Sequence, residues 1–271
     1  MKVLSIIGKS LIDFFREGGL ILAASISYFT MMALFPFCLF LITLFGYFLG
    51  QHPEFYNFFL NRLVSLFPSV TSEITNEILK LISHRGIGKI GLFLYGFLSY
   101  SVFGSIEHAL NIIFKVTKKR TPIVSVMLSL IVVTFIMALI ILSFVAASAI
   151  PLLGVIKPVL PLLRIGKMTG FFIRFVLPFV MVLSTVTAIY RLLPKAKVEL
   201  SNAFKGALFT TVFLEIAKHV FTWYVVAIVH FGKIYGPLTA FVLFLLWMFY
   251  SSNIFLIGAE IVRNLGAFKK S

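Results

Sequence analysis

The sequence predicts an all-α integral membrane protein: one membrane domain, 1–271, of six transmembrane helices, both termini in the cytoplasm, with amphipathic interfacial helices on the outer side between the first and second spans. Three observations predict it. Of 271 residues, 60% are hydrophobic and only 12% charged, at a mean hydropathy of +1.07, whereas soluble domains carry about 25% charged residues. Six stretches are apolar over the roughly 18 or more residues needed to cross ~30 Å of hydrocarbon: 20–49, 89–114, 124–150, 171–193, 202–230 and 236–262. The basic residues fall unevenly in alternate loops, and that bias sets orientation. Fourteen lie on one side (Lys2, Lys9, Arg16; Lys115, Lys118, Lys119, Arg120; Arg191, Lys195, Lys197, Lys205; Arg263, Lys269, Lys270), nine on the other, and Lys218 lies within the fifth span. The richer side is cytoplasmic. Its basic loops meet anionic lipid headgroups, so a net charge of +15 needs no nucleic-acid partner.

The first 19 residues carry Lys2, Lys9, Asp13, Arg16 and Glu17, and the apolar run after them is far longer than a signal-peptide core. The first span is therefore a retained helix. It holds the sole cysteine, Cys38, which excludes an intrachain disulfide or cysteine metal cluster. Pro36 interrupts this span and favours a kink. The connection from Gly50 to Gly88 has helical periodicity on both sides of Pro68, which suggests two amphipathic interfacial helices within 52–83.

The second span carries a polar seam: Tyr100, Gly104, Glu107 and Asn111 in one row, with Ser101, Ser105 and His108 beside it. Small residues there allow close helix approach and the polar ones can hydrogen-bond across it. The third span carries no charge. The segment 151–170, too apolar for a solvated loop and too proline-rich for another span, reads as interfacial or re-entrant, with Lys157, Arg164 and Lys167 at outer headgroup level. Pro178 is a second candidate kink, in the fourth span.

The fifth span is the most informative. Thr211, Glu215, Lys218, His219 and Thr222 recur at helical spacing and share one face. A charge at bilayer depth costs roughly 2.5 to 3.5 kcal/mol on insertion scales and so needs a partner or water. Glu215 and Lys218, three apart, can pair. If the second and fifth helices adjoin, Glu107 or His108 completes a network with Glu215 or Lys218. Three readings stay open: a zipper fixing helix register, a polar substrate or proton path, and a stripe for oligomerisation or a membrane partner. His219 has no second His or Cys at ligand spacing, so no metal site is expected. Glu260 closes the sixth span at the cytoplasmic face, where Arg191, Lys195 or Lys205 can pair with it.

Enzyme motifs are lacking: the sequence contains no phosphate loop, HExxH, nucleophile elbow or paired cysteines. Its nine acidic residues are scattered over both faces and the interior, whereas a two-metal nuclease needs carboxylates converging on ions about 4 Å apart.

Several separated motifs carry a resemblance. Ala23 and Ala24 lead to Tyr28 and then to Leu34, Phe35 and Pro36; Tyr190, Arg191, Leu192, Leu193 and Pro194 close the fourth span. Ala203, Gly206, Glu215, Lys218, Phe221 and Tyr224 follow, and the last span holds Tyr235, Gly236, Leu246, Trp247, Tyr250, Leu256, Gly258, Ala259 and Glu260. From about Phe14 to Leu265 the chain resembles the YihY/BrkB family of bacterial inner-membrane proteins, some of which bear the older label ribonuclease BN. The resemblance implies a six-helix, multi-pass inner-membrane fold. In that family the ribonuclease label is regarded as a misassignment, and links to envelope lipid or lipopolysaccharide export are proposals.

Stripe and resemblance together suggest a bacterial inner-membrane transport protein moving a phospholipid or other envelope lipid through the polar seam. Lacking a nucleotide-binding motif, it would scramble passively, couple to protons through Glu215 or His219, or borrow energy from an envelope lipid-export partner. The alternative is a non-catalytic scaffold or partner-binding protein in envelope biogenesis. A tRNA-processing ribonuclease is the third reading, opposed by the scattered acids. No cofactor or metal is expected, and the chain is not expected to be an enzyme.

Overall fold

The computed structural model describes residues 2–33, 87–116, 124, 127, 175–227 and 239–268. Among the described residues every element is helical, residues 175–176 as π-helix and the rest as α-helix, and none is a strand. In chain order these are α1 (Lys2–Arg16), α2 (Gly19–Ala33), α3 (Ile87–Ile113), α4 (Leu177–Leu192), α5 (Leu200–Ala227) and α6 (Thr239–Phe268). The stretch Phe241–Ala267 of α6 is long and apolar enough to cross a membrane, while α2 and α4 are apolar but shorter within the described residues. At 1.5 Å per residue, α3 and α5, with 27 and 28 residues, extend about 40 Å.

The helices differ from the expected spans at informative places. The charged N-terminal segment is itself a helix, α1, which its ions had hidden. Its apolar residues recur every three to four positions, which buries Ile6 and Phe14 on one side. Gly18, at φ +73°, takes the left-handed conformation that ends α1 and turns the chain into α2. Pro178 lies at the second position of α4, directly after residues 175–176, which are π-helical, with Val176 at φ −72° and ψ −46°, so helical backbone already precedes the proline. Glu260 is not the end of the last helix, since α6 continues to Phe268 and carries Arg263 and Asn264 with it. Lys115, after α3, adopts φ 54° while Lys115 N–H and Val116 N–H close back onto Ile112 and Asn111 carbonyls. Pro36, the 52–83 and 151–170 segments with Lys157, Arg164 and Lys167, and all of the 124–150 span except the helical positions 124 and 127 lie outside the described residues.

Two compact units emerge, and α3, α5 and α6 contribute to both. The terminal unit comprises Met1–Glu17, Glu107–Glu215 and Ile254–Ser271; the second comprises Gly18–Ile106 and Ile216–Asn253. In the terminal unit, α5 and α6 approach through small residues. A side chain at Gly206 would collide with Val262 and the Gly258 carbonyl, and one at Gly258 would collide with the hydroxyls of Thr210 and Tyr190. Ala203, Ala207 and Ala259 are fully buried along the same contact. Tyr190 of α4 seals it: its hydroxyl donates to the Phe255 carbonyl and shares a 2.8 Å hydrogen bond with Thr210 Oγ1. Small-residue contacts of this kind let backbones close in where lipid gives helices no hydrophobic drive to associate.

The second unit uses hydroxyl contacts. Ser25 on α2 and Ser105 on α3 hydrogen-bond at 3.0 Å, and Ser27 donates to the Ala23 carbonyl while approaching Ser252 of α6 at 3.5 Å. Phe221 of α5 packs on Trp247 of α6 with ring centroids 5.2 Å apart.

Candidate functional site

The polar stripe of α5 divides along its length. Thr211 is buried, and its hydroxyl donates to the Ala207 carbonyl one turn back at 2.8 Å. Glu215 is half-buried. Lys218, His219 and Thr222 are exposed, with the Thr222 hydroxyl donating to the Lys218 carbonyl at 2.8 Å. None of Glu215, Lys218 and His219 is without a partner. Threonines bonded to their own helix cost the fold little. The ammonium and imidazole stand exposed among the exposed apolar side chains Ile216, Val220 and Trp223, and charge at bilayer depth is costly.

On α3 the expected seam separates similarly. Glu107 is buried and not without a partner, His108 is exposed, and Tyr100 is exposed. Asn111 Oδ1 accepts from the Lys195 backbone N–H at 3.1 Å, which ties the end of α3 to the connection between α4 and α5. Gly104 was expected to permit close helix approach, but nothing lies within 4 Å of a side chain placed there. The contact is made one residue on, by Ser105 with Ser25.

Among the described residues the densest polar site lies at the end of the terminal unit, and sequence reasoning missed it. Arg263 of α6, its side chain only 14% exposed, reaches three carboxylates. Its Nη2 lies 2.7 Å from Asp13 Oδ2 and 2.8 Å from Glu260 Oε2, while Nη1 pairs with Glu17 and donates to the Ile113 carbonyl at 2.9 Å. Asn264 donates to Ser10 Oγ at 3.0 Å and to Asp13 Oδ2 at 3.2 Å. Lys115 approaches Glu17 at 3.5 Å from the solvent side. The ion pair the structure gives Glu260 is thus with Arg263, one turn along its own helix, and not with the expected Arg191, Lys195 or Lys205. Arg191 and Lys205 are exposed, and Lys195 is half-buried. The reason is reach: an i,i+3 arginine needs no help from another segment. Glu260 is fully buried with both oxygens lacking a well-directed hydrogen bond, as is Glu17 Oε2. Burial pushes the Asp13 carboxyl up, but the Asn264 hydrogen bond and the charges of Arg263 and Lys9 outweigh it and hold the group below the usual carboxylate range. A signal did exist: Asp13 and Glu17 four apart with Ser10, and Glu260, Arg263 and Asn264 within one turn. Counting Arg263 only as a topology charge concealed it. Among the described residues no three His, Cys, Asp or Glu side chains gather as a metal site.

Comparison with known proteins meets this geometry directly. The profile of the family described as Virulence factor BrkB matches residues 13–267, from Asp13 of the terminal cluster to the last turn of α6. The chain belongs to the BrkB family. Among its curated relatives, a UPF0761 membrane protein of Coxiella burnetii is 30% identical over 93% of this chain and 89% of its own length. A UPF0761 membrane protein of Rhodospirillum centenum is 31% identical over 93% of this chain and 55% of its own length, and one of Photobacterium profundum is 28% identical over 92% and 77%. The chain thus spans little more than half of some relatives it matches. No solved structure matches it. Of the residues that carry the BrkB resemblance, Tyr190, Ala203, Gly206, Leu256, Gly258, Ala259 and Glu260 are buried together in the terminal unit. They make helix contacts, whereas Lys218 stays exposed.

Proposed function

We propose that this BrkB-family membrane protein is a multi-pass protein of the bacterial inner membrane, with six spans and both termini cytoplasmic, that moves an amphiphilic substrate, a phospholipid or other envelope lipid, between leaflets or toward an envelope partner. One observation carries the reading: Lys218, His219 and Thr222 are exposed on α5 among exposed apolar side chains. An ammonium and an imidazole suit a phosphate-bearing headgroup, and the apolar flank suits acyl chains. Nothing in this chemistry calls for a cofactor, and coupling through Glu215 or His219 would make movement depend on a proton gradient.

The test is reconstitution of the purified chain in vesicles with fluorescent phospholipids, with and without an imposed pH gradient. Flip above protein-free vesicles, lowered by Lys218→Met and Glu215→Gln in chains that elute as the parent does, is the expected result. No flip with any of several lipids defeats autonomous translocation and leaves the scaffold reading.

A further inference from the structure

Side chains around α1 fall into three sectors. One faces the protein: Ile6, Ser10 and Phe14 are buried, with Asp13 and Glu17 at its edge holding Arg263. Leu11, Phe15 and Ile12, within about 100° of one another on the helix, form the second and are 39%, 63% and 68% exposed. The third is basic and exposed, Lys9 and Arg16, adjoining the apolar sector.

We propose that α1 is an interfacial helix that binds an anionic bilayer surface, Leu11, Ile12 and Phe15 entering the boundary of the acyl chains and Lys9 and Arg16 meeting headgroup phosphates. Position supports this occupant. Ser10, Asp13 and Glu17 are fastened to Asn264 and Arg263 in the last turns of α6, whose Phe241–Ala267 stretch is long and apolar enough to span. Its 30 residues exceed the ~20 that hydrocarbon requires, so α1 is held where α6 reaches the headgroups. Charge supports it too. The acids of α1 turn toward Arg263, leaving an outward face that is apolar and cationic, the pattern of helices lying in an anionic interface. A second copy docked on that face would bring Lys9 and Arg16 against like charge. The inference needs only membrane residence, not lipid transport.

The experiment uses the full chain in vesicles. In a Cys38→Ser background, Ile12→Cys, Phe15→Cys and Lys9→Cys are each labelled with an environment-sensitive fluorophore. Labels at positions 12 and 15 are expected to be quenched by lipids brominated on the acyl chain, and the label at position 9 by aqueous iodide. Adding Lys9→Gln or Arg16→Gln to the Ile12→Cys chain lowers the preference for brominated phosphatidylglycerol over phosphatidylcholine by about fivefold each. The unsubstituted chain gives an independent measure: α1 amides exchange more slowly in nanodiscs containing phosphatidylglycerol than in neutral ones. Iodide reaching positions 12 and 15 as readily as 9 overturns the proposal, as does a preference unmoved by lipid charge. Label self-quenching that grows with protein-to-lipid ratio assigns the face to a second copy and overturns it as well. All readouts are made without measuring flux, so failure here leaves the transport test untouched.

Discussion

Replacing Arg263 by leucine should be among the most damaging single changes in the described residues. The guanidinium is the shared partner of Asp13, Glu17 and Glu260, and it also occupies the Ile113 carbonyl. Glu260 is fully buried, so its carboxylate loses compensation that water cannot replace. Removing one member of a buried pair costs about 3–5 kcal/mol. Asp13 and Glu17, 19% and 17% exposed, are partly screened and add less. For a chain of this size, about 2–4 °C is lost per kcal/mol, which puts the melting temperature of Arg263→Leu roughly 6–20 °C below the parent. The assay is loss of the monodisperse size-exclusion peak after heating in detergent at one fixed scan rate, because such unfolding is often irreversible. Arg263→Lys should fall between the two, since one ammonium cannot fork across two carboxylates and reach a third. Adding Glu260→Leu to Arg263→Leu should recover much of the loss by removing the stranded charge. A drop under about 2 °C for Arg263→Leu, below what even one lost kcal/mol should produce, or no recovery in the double variant, would refute the view that Arg263 neutralises a buried acid.

Gly258→Ala should cost about 1–3 kcal/mol by overpacking against Tyr190 and Thr210, whereas Gly104→Ala, which meets open space, should be neutral or raise the melting temperature. Equal effects at the two positions would count against the α5–α6 contact. Tyr190→Phe removes the buried hydroxyl that donates to the Phe255 carbonyl and meets Thr210 Oγ1, and should lose about 1–2 kcal/mol, read by the same heating assay. Because Asp13 is held below its ordinary value of 3.8, its contribution is fully present above that value and is lost as pH falls through the lower folded value. Acid should therefore lower the parent's melting temperature below about pH 4, and Asp13→Asn should flatten that limb while melting lower at neutral pH.

What was legible in the sequence follows from which forces act locally. Long apolar runs and helical periodicity are local, so an all-helical membrane protein was readable, and α3 and α5 lie within three residues of their expected bounds. The BrkB family was legible from dispersed motifs. Three features were not. α1 was hidden because its three sectors, one basic, dilute the apolar signal that marks a span. The Arg263 cluster joins residues about 250 positions apart, and such a pairing is visible only once α1 has been placed against α6. Gly104 and Gly206 look alike in sequence, yet one faces open space and the other a neighbouring backbone. Helical phase alone cannot tell them apart.

The division of the α5 stripe sharpens where function should be sought. Thr210 and Thr211 satisfy their hydroxyls on backbone carbonyls of their own helix and are buried at a tight helix contact. Polar residues arranged this way fix geometry, and substituting them should change stability. Lys218, His219 and Thr222, two to three turns further on, are exposed, so a side-chain change there removes little packing. The buried and the exposed ends of the stripe thus make different predictions. Lys218→Met should therefore leave the melting temperature within about 2 °C of the parent, in the range of a surface change, while Thr211→Val lowers it. If Lys218→Met destabilises as much as Thr211→Val, the exposed end is structural after all, and the case for a headgroup-binding face on α5 fails with it.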